Sequence, residues 1–119
     1  MANAMKDKGD LAEAIDSYKQ ALKIKPNYAS AYYNMANAMK DKGDLAEAID
    51  SYKQALKIKP NYAEAYYNMG NALNEKGSPE AAIDSYKQAI KIQPNYADAY
   101  CNMGNSLSDK GDVEAAIDS

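Results

Sequence analysis

The chain has 119 residues, 46% of them hydrophobic and 26% charged, ordinary for a folded protein and too apolar for a disordered one. Its formal net charge is −3 and all 14 of its cations are lysine, so it offers neither a basic field for nucleic acid or anionic lipid nor a guanidinium fork for phosphate. No apolar run approaches the roughly 18–20 residues that span a bilayer, the N-terminus lacks a signal-peptide pattern, and the lone Cys101 has no internal disulfide partner, which leaves a cytoplasmic setting as the expectation.

In chain order, residues 1–29 read MANAMKDKGDLAEAIDSYKQALKIKPNYA, and residues 35–63 repeat the same 29 letters at an offset of 34. The offset persists more loosely, with SYKQA at Ser17, Ser51 and Ser85, PNYA at Pro26, Pro60 and Pro94, and glycines at 9, 43, 77 and 111. A fixed period of this size signals a solenoid, in which each repeat contacts chiefly its neighbours. The division is one domain, 1–119, made of copies at 1–28 (partial), 29–62, 63–96 and 97–119 (partial). An exact copy implies recent duplication or deliberate engineering, and the letters do not choose between them.

Each copy divides into two helices. The chain opens partway through a first helix. In the second copy Tyr32, Met35, Ala36 and Met39 form one apolar helical stripe, and Leu45, Ala48, Ile49, Tyr52, Ala55 and Leu56 form the next. Between them Gly43 suits a left-handed helix stop, and Asp44 with Glu47 predicts a capping box. The second helix stops before Pro60, and Asn61 with Glu64 predicts another box. In the third copy Ser78-Pro79 opens the second helix, and Asn95 with Asp98 makes a weaker box. The last helix is expected at Val113–Ser119, too short to be stable alone. Turns this short make the paired helices antiparallel. Small residues at Ala36, Gly70 and Gly104 are expected where helices touch, with Tyr52 and Tyr86 filling the space they leave.

On these residues the chain resembles the tetratricopeptide repeat (TPR) family. Tyr32, Met35, Ala36, Gly43, Ala48, Tyr52, Ala55 and Pro60 carry the match in the second copy, and Tyr66, Met69, Gly70, Gly77, Ala82, Tyr86, Ala89 and Pro94 in the third. Met39, Leu73 and Leu107 stand where the family often has tyrosine. The resemblance implies an all-α, right-handed superhelical solenoid of about three and a half 34-residue repeats. It also implies that first helices line a concave groove that receives an extended peptide or a partner helix.

By that resemblance the groove face carries Ser30, Tyr33, Asn34, Asn37, Lys40 and Asp41, then Glu64, Tyr67, Asn68, Asn71, Asn74 and Glu75, then Asp98, Cys101, Asn102, Asn105, Ser108 and Asp109. Asparagine is a mediocre helix former, yet it recurs there in mid-helix. Its carboxamide both donates and accepts, so a row of amides can pair with a ligand backbone whatever its side chains. The row is similar to the asparagine ladder of the O-GlcNAc transferase TPR arm, with Asn34, Asn68 and Asn102 matching best; Asn37, Asn71 and Asn105 match further ligand-touching positions. Tyr33 and Tyr67 are candidates for stacking on a ligand, or for packing on the adjacent helix pair. Tyr28, Tyr62 and Tyr96 are expected to pack between repeats. Acidic Glu64 and Asp98, with tyrosine in place of lysine and no arginine, speak against the family's clamp for a terminal carboxylate and favour a neutral or basic peptide.

No catalytic set is legible. Histidine is absent, no glycine-rich phosphate loop occurs, the acids near Asp41 and Asp44 do not space as a calcium loop, and Cys101 has no base to activate it. The expectation is a non-enzymatic module with no metal and no cofactor, whose partners are protein or peptide. Neither terminal repeat carries a polar cap, so the expectation is either an ordered part of a longer chain or self-association, by head-to-tail stacking or helix exchange. The alternative to a peptide-binding module is therefore a self-associating scaffold without a natural ligand.

Overall fold

The computed structural model describes residues 8–118, with side chains described over 9–111. The described residues form six helices and no strand. They fall into two compact units, Met1–Pro60 and Asn61–Ser119. The N-terminal unit holds α1 (Lys8–Ile24), α2 (Ala29–Lys42) and α3 (Leu45–Ile58); the C-terminal unit holds α4 (Ala63–Lys76), α5 (Pro79–Ile92) and α6 (Ala97–Asp118).

Within each unit the helices pack as successive pairs, α1 on α2 and α2 on α3, then α4 on α5 and α5 on α6. The expected stripes form the interior. Met35, Ala36 and Met39 of α2 and Ala48, Ile49, Tyr52, Ala55 and Leu56 of α3 are buried, while Tyr32 is half-buried. In the C-terminal unit Ala82, Tyr86 and Ala89 of α5 and Ala99 of α6 make a buried cluster, against which Tyr66, Tyr67 and Leu73 of α4, Tyr96 just before α6 and Met103 of α6 pack.

The stop signals work as expected in mid-chain. Gly43 and Gly77 take left-handed φ of 97° and 93°. At each, the glycine N–H bonds back three residues and the following N–H five residues, Gly43 to Lys40 and Asp44 to Met39, which satisfies carbonyls that the helix end would otherwise orphan. Pro26 and Pro94 sit in tight turns closed by the Tyr28 N–H to Lys25 and the Tyr96 N–H to Gln93.

The starts differ from expectation. No side-chain cap bond forms at Asp44 or Ser78, and the cap of α4 is Tyr62, one residue after Asn61. The first-turn N–H groups are taken up by backbone instead: Ala65 and Tyr66 donate to the Tyr62 carbonyl at 3.1 and 3.3 Å, and Ala99 and Tyr100 to that of Tyr96 at 3.1 and 3.2 Å. Asp44 pairs with Lys42 at 3.3 Å. Glu47, Glu64 and Asp98 still occupy first turns, where a negative charge suits the helix dipole.

The last helix is the larger correction. No turn forms at Gly111: α6 runs unbroken from Ala97 to Asp118. Gly111 has the same neighbours, Lys and Asp, as Gly43, so local sequence does not make the difference. After Gly43 and Gly77 a 14-residue helix folds back, and its alanines and tyrosine, Ala48, Tyr52 and Ala55 or Ala82, Tyr86 and Ala89, are fully buried. Gly9 likewise lies within α1, and the expected remnant of a first helix falls outside the described residues.

Candidate functional site

In the C-terminal unit the amides form a connected network. Asn102 of α6 donates from Nδ2 to the Tyr67 hydroxyl and to Asn71 Oδ1, each at 2.9 Å. Asn71 Oδ1 also accepts the Tyr86 hydroxyl at 2.5 Å. Burial, reinforced by the neighbouring Tyr67 phenol, pushes the Tyr86 pKa up to about 12, so this hydroxyl stays protonated and donates. The same pairing recurs in the N-terminal unit, where Tyr52 donates to Asn37 Oδ1. Asn37 and Asn71 thus hold the ring of the following helix in place.

The remaining candidates divide by exposure. Asn68 is half-buried and donates to the Glu64 carbonyl of its own helix at 3.1 Å. Asn34 is exposed and lines a cavity of about 320 Å³ with Ser17, Tyr18, Ala21, Tyr28, Ser30 and Ala31. Asn105, Glu64, Asp98 and Cys101 are exposed. Tyr33 packs on Tyr52 at 6.1 Å, and Tyr67 on Tyr86 and Tyr96 at 5.9 and 5.0 Å, so both half-buried rings meet neighbouring helices. Tyr96 packs on Tyr67 of its own copy, whereas Tyr28 stays exposed under the Lys25 ammonium, 4.6 Å from its ring. A larger crevice of about 480 Å³ at the Pro26 turn includes none of the candidates.

Sequence reasoning missed the tyrosine hydroxyls of α3 and α5 as partners of the amides. A signal was available: Asn37 with Tyr52 and Asn71 with Tyr86 repeat the same 15-residue separation. Ser106 was missed too. It sits fully buried where the other copies have Ala38 and Ala72, and its hydroxyl has no hydrogen-bond partner. Among the described residues no group of His, Cys, Asp or Glu could hold a metal ion, and no helix is long and apolar enough to cross a membrane.

The arrangement has solved counterparts. Two crystal structures of MamA superpose with TM-scores of 0.82 and 0.82 at 33% and 29% identity, covering 99% and 98% of this chain and 69% and 63% of theirs. The first TPR of Spaghetti (RPAP3), bound to the HSP90 peptide SRMEEVD, matches at TM-score 0.81 and 24% identity over 89% of this chain and 84% of that one. A mutant Thermobaculum terrenum O-GlcNAc transferase matches at TM-score 0.76 and 24% identity over 89% of this chain and 20% of its own. No curated protein matches in sequence. The family model for the TPR repeat matches residues 2–43, 36–77 and 70–111, and with helix pairs, left-handed glycine stops and alanine–tyrosine packing repeating at the same step, the chain belongs to the TPR repeat family.

Proposed function

We propose that the chain is a non-enzymatic protein-interaction module whose first helices bind an extended peptide or a partner helix through their amides. The observation that carries this is the Asn102 carboxamide. Both of its Nδ2 hydrogens are committed, to Tyr67 and Asn71, so the group is fixed in orientation before any ligand arrives. Its Oδ1 is then the atom left to accept a ligand N–H. Asn34 and Asn68 are the equivalent positions on α2 and α4, and Asn105 adds a further exposed amide. Asn37 and Asn71 support the face through Tyr52 and Tyr86. Tyr33 and Tyr67 lend it aromatic surface. Exposed Glu64 and Asp98 favour neutral or basic ligands. The peptide seen on the first TPR of Spaghetti (RPAP3) supports peptide binding as an occupation for this fold. A protein partner in the cytoplasm, with no nucleic acid, fits the mild negative charge and the free thiol.

The test is capture of peptides from an array of neutral and basic sequences by the chain and by the Asn34→Ala, Asn68→Ala, Asn102→Ala triple variant. Capture lost with helix content intact supports the reading; undiminished affinity in the variant removes the amides from it.

A second reading, assembly with further copies of the chain, is favoured by Tyr100 and Leu107 of α6, large apolar side chains left exposed.

A further inference from the structure

Tyr67 is held by its ring and keeps a hydrogen in reserve. The ring centroid lies 5.9 Å from that of Tyr86 and 5.0 Å from that of Tyr96, so the phenol is fixed between two helices. Its oxygen accepts from Asn102 Nδ2 at 2.9 Å. A phenol hydroxyl also donates, and no acceptor meets that hydrogen among the described residues. The carboxamide oxygen bonded to the same Asn102 nitrogen is already occupied. Asn71 Oδ1 holds the Tyr86 hydroxyl at 2.5 Å and the second Asn102 hydrogen at 2.9 Å, which fills both of its lone pairs.

Tyr67 and Asn102 are therefore left complementary. Both are half-buried, at the edge of the core rather than inside it. Tyr67 retains a donor and Asn102 an acceptor, its Oδ1, and the hydrogen bond between the two residues fixes one beside the other. A C=O next to an N–H satisfies such a pair. In an extended chain the N–H and C=O of one residue point to the same side, which is how paired residues of antiparallel strands exchange two bonds. In a helix the same groups are bonded internally, four residues apart.

We propose that the Tyr67 hydroxyl is a ligand-binding donor which, with Asn102 Oδ1, takes the C=O and N–H of a single residue in an extended peptide, as an opposing strand does. This deepens the peptide-binding reading and rests on it, and it selects the extended peptide over the partner helix. Tyr67 then meets the ligand with its hydroxyl, while its ring serves to hold that hydroxyl in place. The peptide residue seated there cannot be proline, which has no N–H.

The probe is an array of short acetylated, amidated peptides of alanine, threonine and lysine, neutral and basic in charge, with the tightest binder followed by fluorescence polarisation. Tyr67→Phe keeps the ring, and with the fold verified by circular dichroism it weakens binding about three- to tenfold. Because the hydroxyl also holds Asn102, the decisive measurement repeats the substitution in the Asn102→Ala variant. A hydroxyl that bonds the peptide still costs about threefold there. One that only positions Asn102 costs nothing further, and that result overturns the proposal. A single N-methyl group moved along the peptide weakens binding sharply at the residue facing Asn102, and the loss shrinks in Asn102→Ala. Binding indifferent to N-methylation at every position also overturns the proposal. No capture of any array peptide overturns it together with the peptide-binding reading. Capture lost in the Asn34, Asn68, Asn102 triple alanine variant but unchanged by Tyr67→Phe overturns the proposal alone.

Discussion

Gly70 and Gly104 are the same residue of the repeat in two environments, which lets one substitution be measured against itself. In mid-helix, glycine to alanine stabilises by about 0.5–1 kcal/mol, because alanine has less backbone freedom to lose. At Gly104 a β-carbon meets nothing within 4 Å, so Gly104→Ala delivers the full gain. At Gly70 it would lie 2.6, 2.9 and 2.9 Å from three atoms of the buried Tyr86 ring, which must withdraw by most of an ångström. Forced repacking of a tight core costs about 1–3 kcal/mol. The low end applies here, because the N-terminal unit seats Ala36 and Tyr52 at the equivalent positions, both fully buried. Ring withdrawal also stretches the 2.5 Å bond from Tyr86 to Asn71. The expected outcome is that Gly70→Ala is neutral or up to about 2 kcal/mol destabilising, and that Gly70→Leu costs the full overpacking figure. Urea unfolding followed by circular dichroism, with the two alanine variants fitted together, gives the difference. Equal stabilisation by both would refute the claim that Tyr86 is pinned against α4.

Two further outcomes follow from the same unit. Ser106→Ala, which removes a buried hydroxyl without a partner and restores the residue type of Ala38 and Ala72, should stabilise by about 1–2 kcal/mol in the same unfolding assay. Tyr86→Phe should cost about 1 kcal/mol near neutrality for the lost bond to Asn71. Because the folded chain holds the Tyr86 proton up to about pH 12 and the unfolded chain releases it near 10, the contribution is complete below pH 10 and fades as pH rises towards 12. Unfolding of both proteins between pH 8 and 12 checks whether the gap between them narrows over that window.

Much of the fold could be read in advance because it is local and repeated. The stripes of α2 and α3, the proline turns and the stops at Gly43 and Gly77 each follow from a few adjacent residues. What escaped was decided by neighbours distant in sequence. Gly111 has the flanks of Gly43 and still continues a helix, so those flanks alone do not make a stop. Asp44 and Ser78 look like caps, but backbone geometry satisfies the first turn without their side chains. In the candidate site the positions of the amides were legible and their partners were not. A carboxamide on a helix surface can face a ligand, a solvent molecule or a tyrosine, and only packing decides.

Packing decides differently for the same amide along the chain. Asn37 and Asn71 each receive a tyrosine hydroxyl from the helix that folds over them, while Asn105 is exposed. Asn102 is held by α4, while Asn34 faces a cavity. An amide on this scaffold is therefore organised by the helices packed beside it, those of its own repeat for Asn37 and Asn71 and that of the preceding repeat for Asn102. The same carboxamide serves as an internal brace or as an open contact according to that packing.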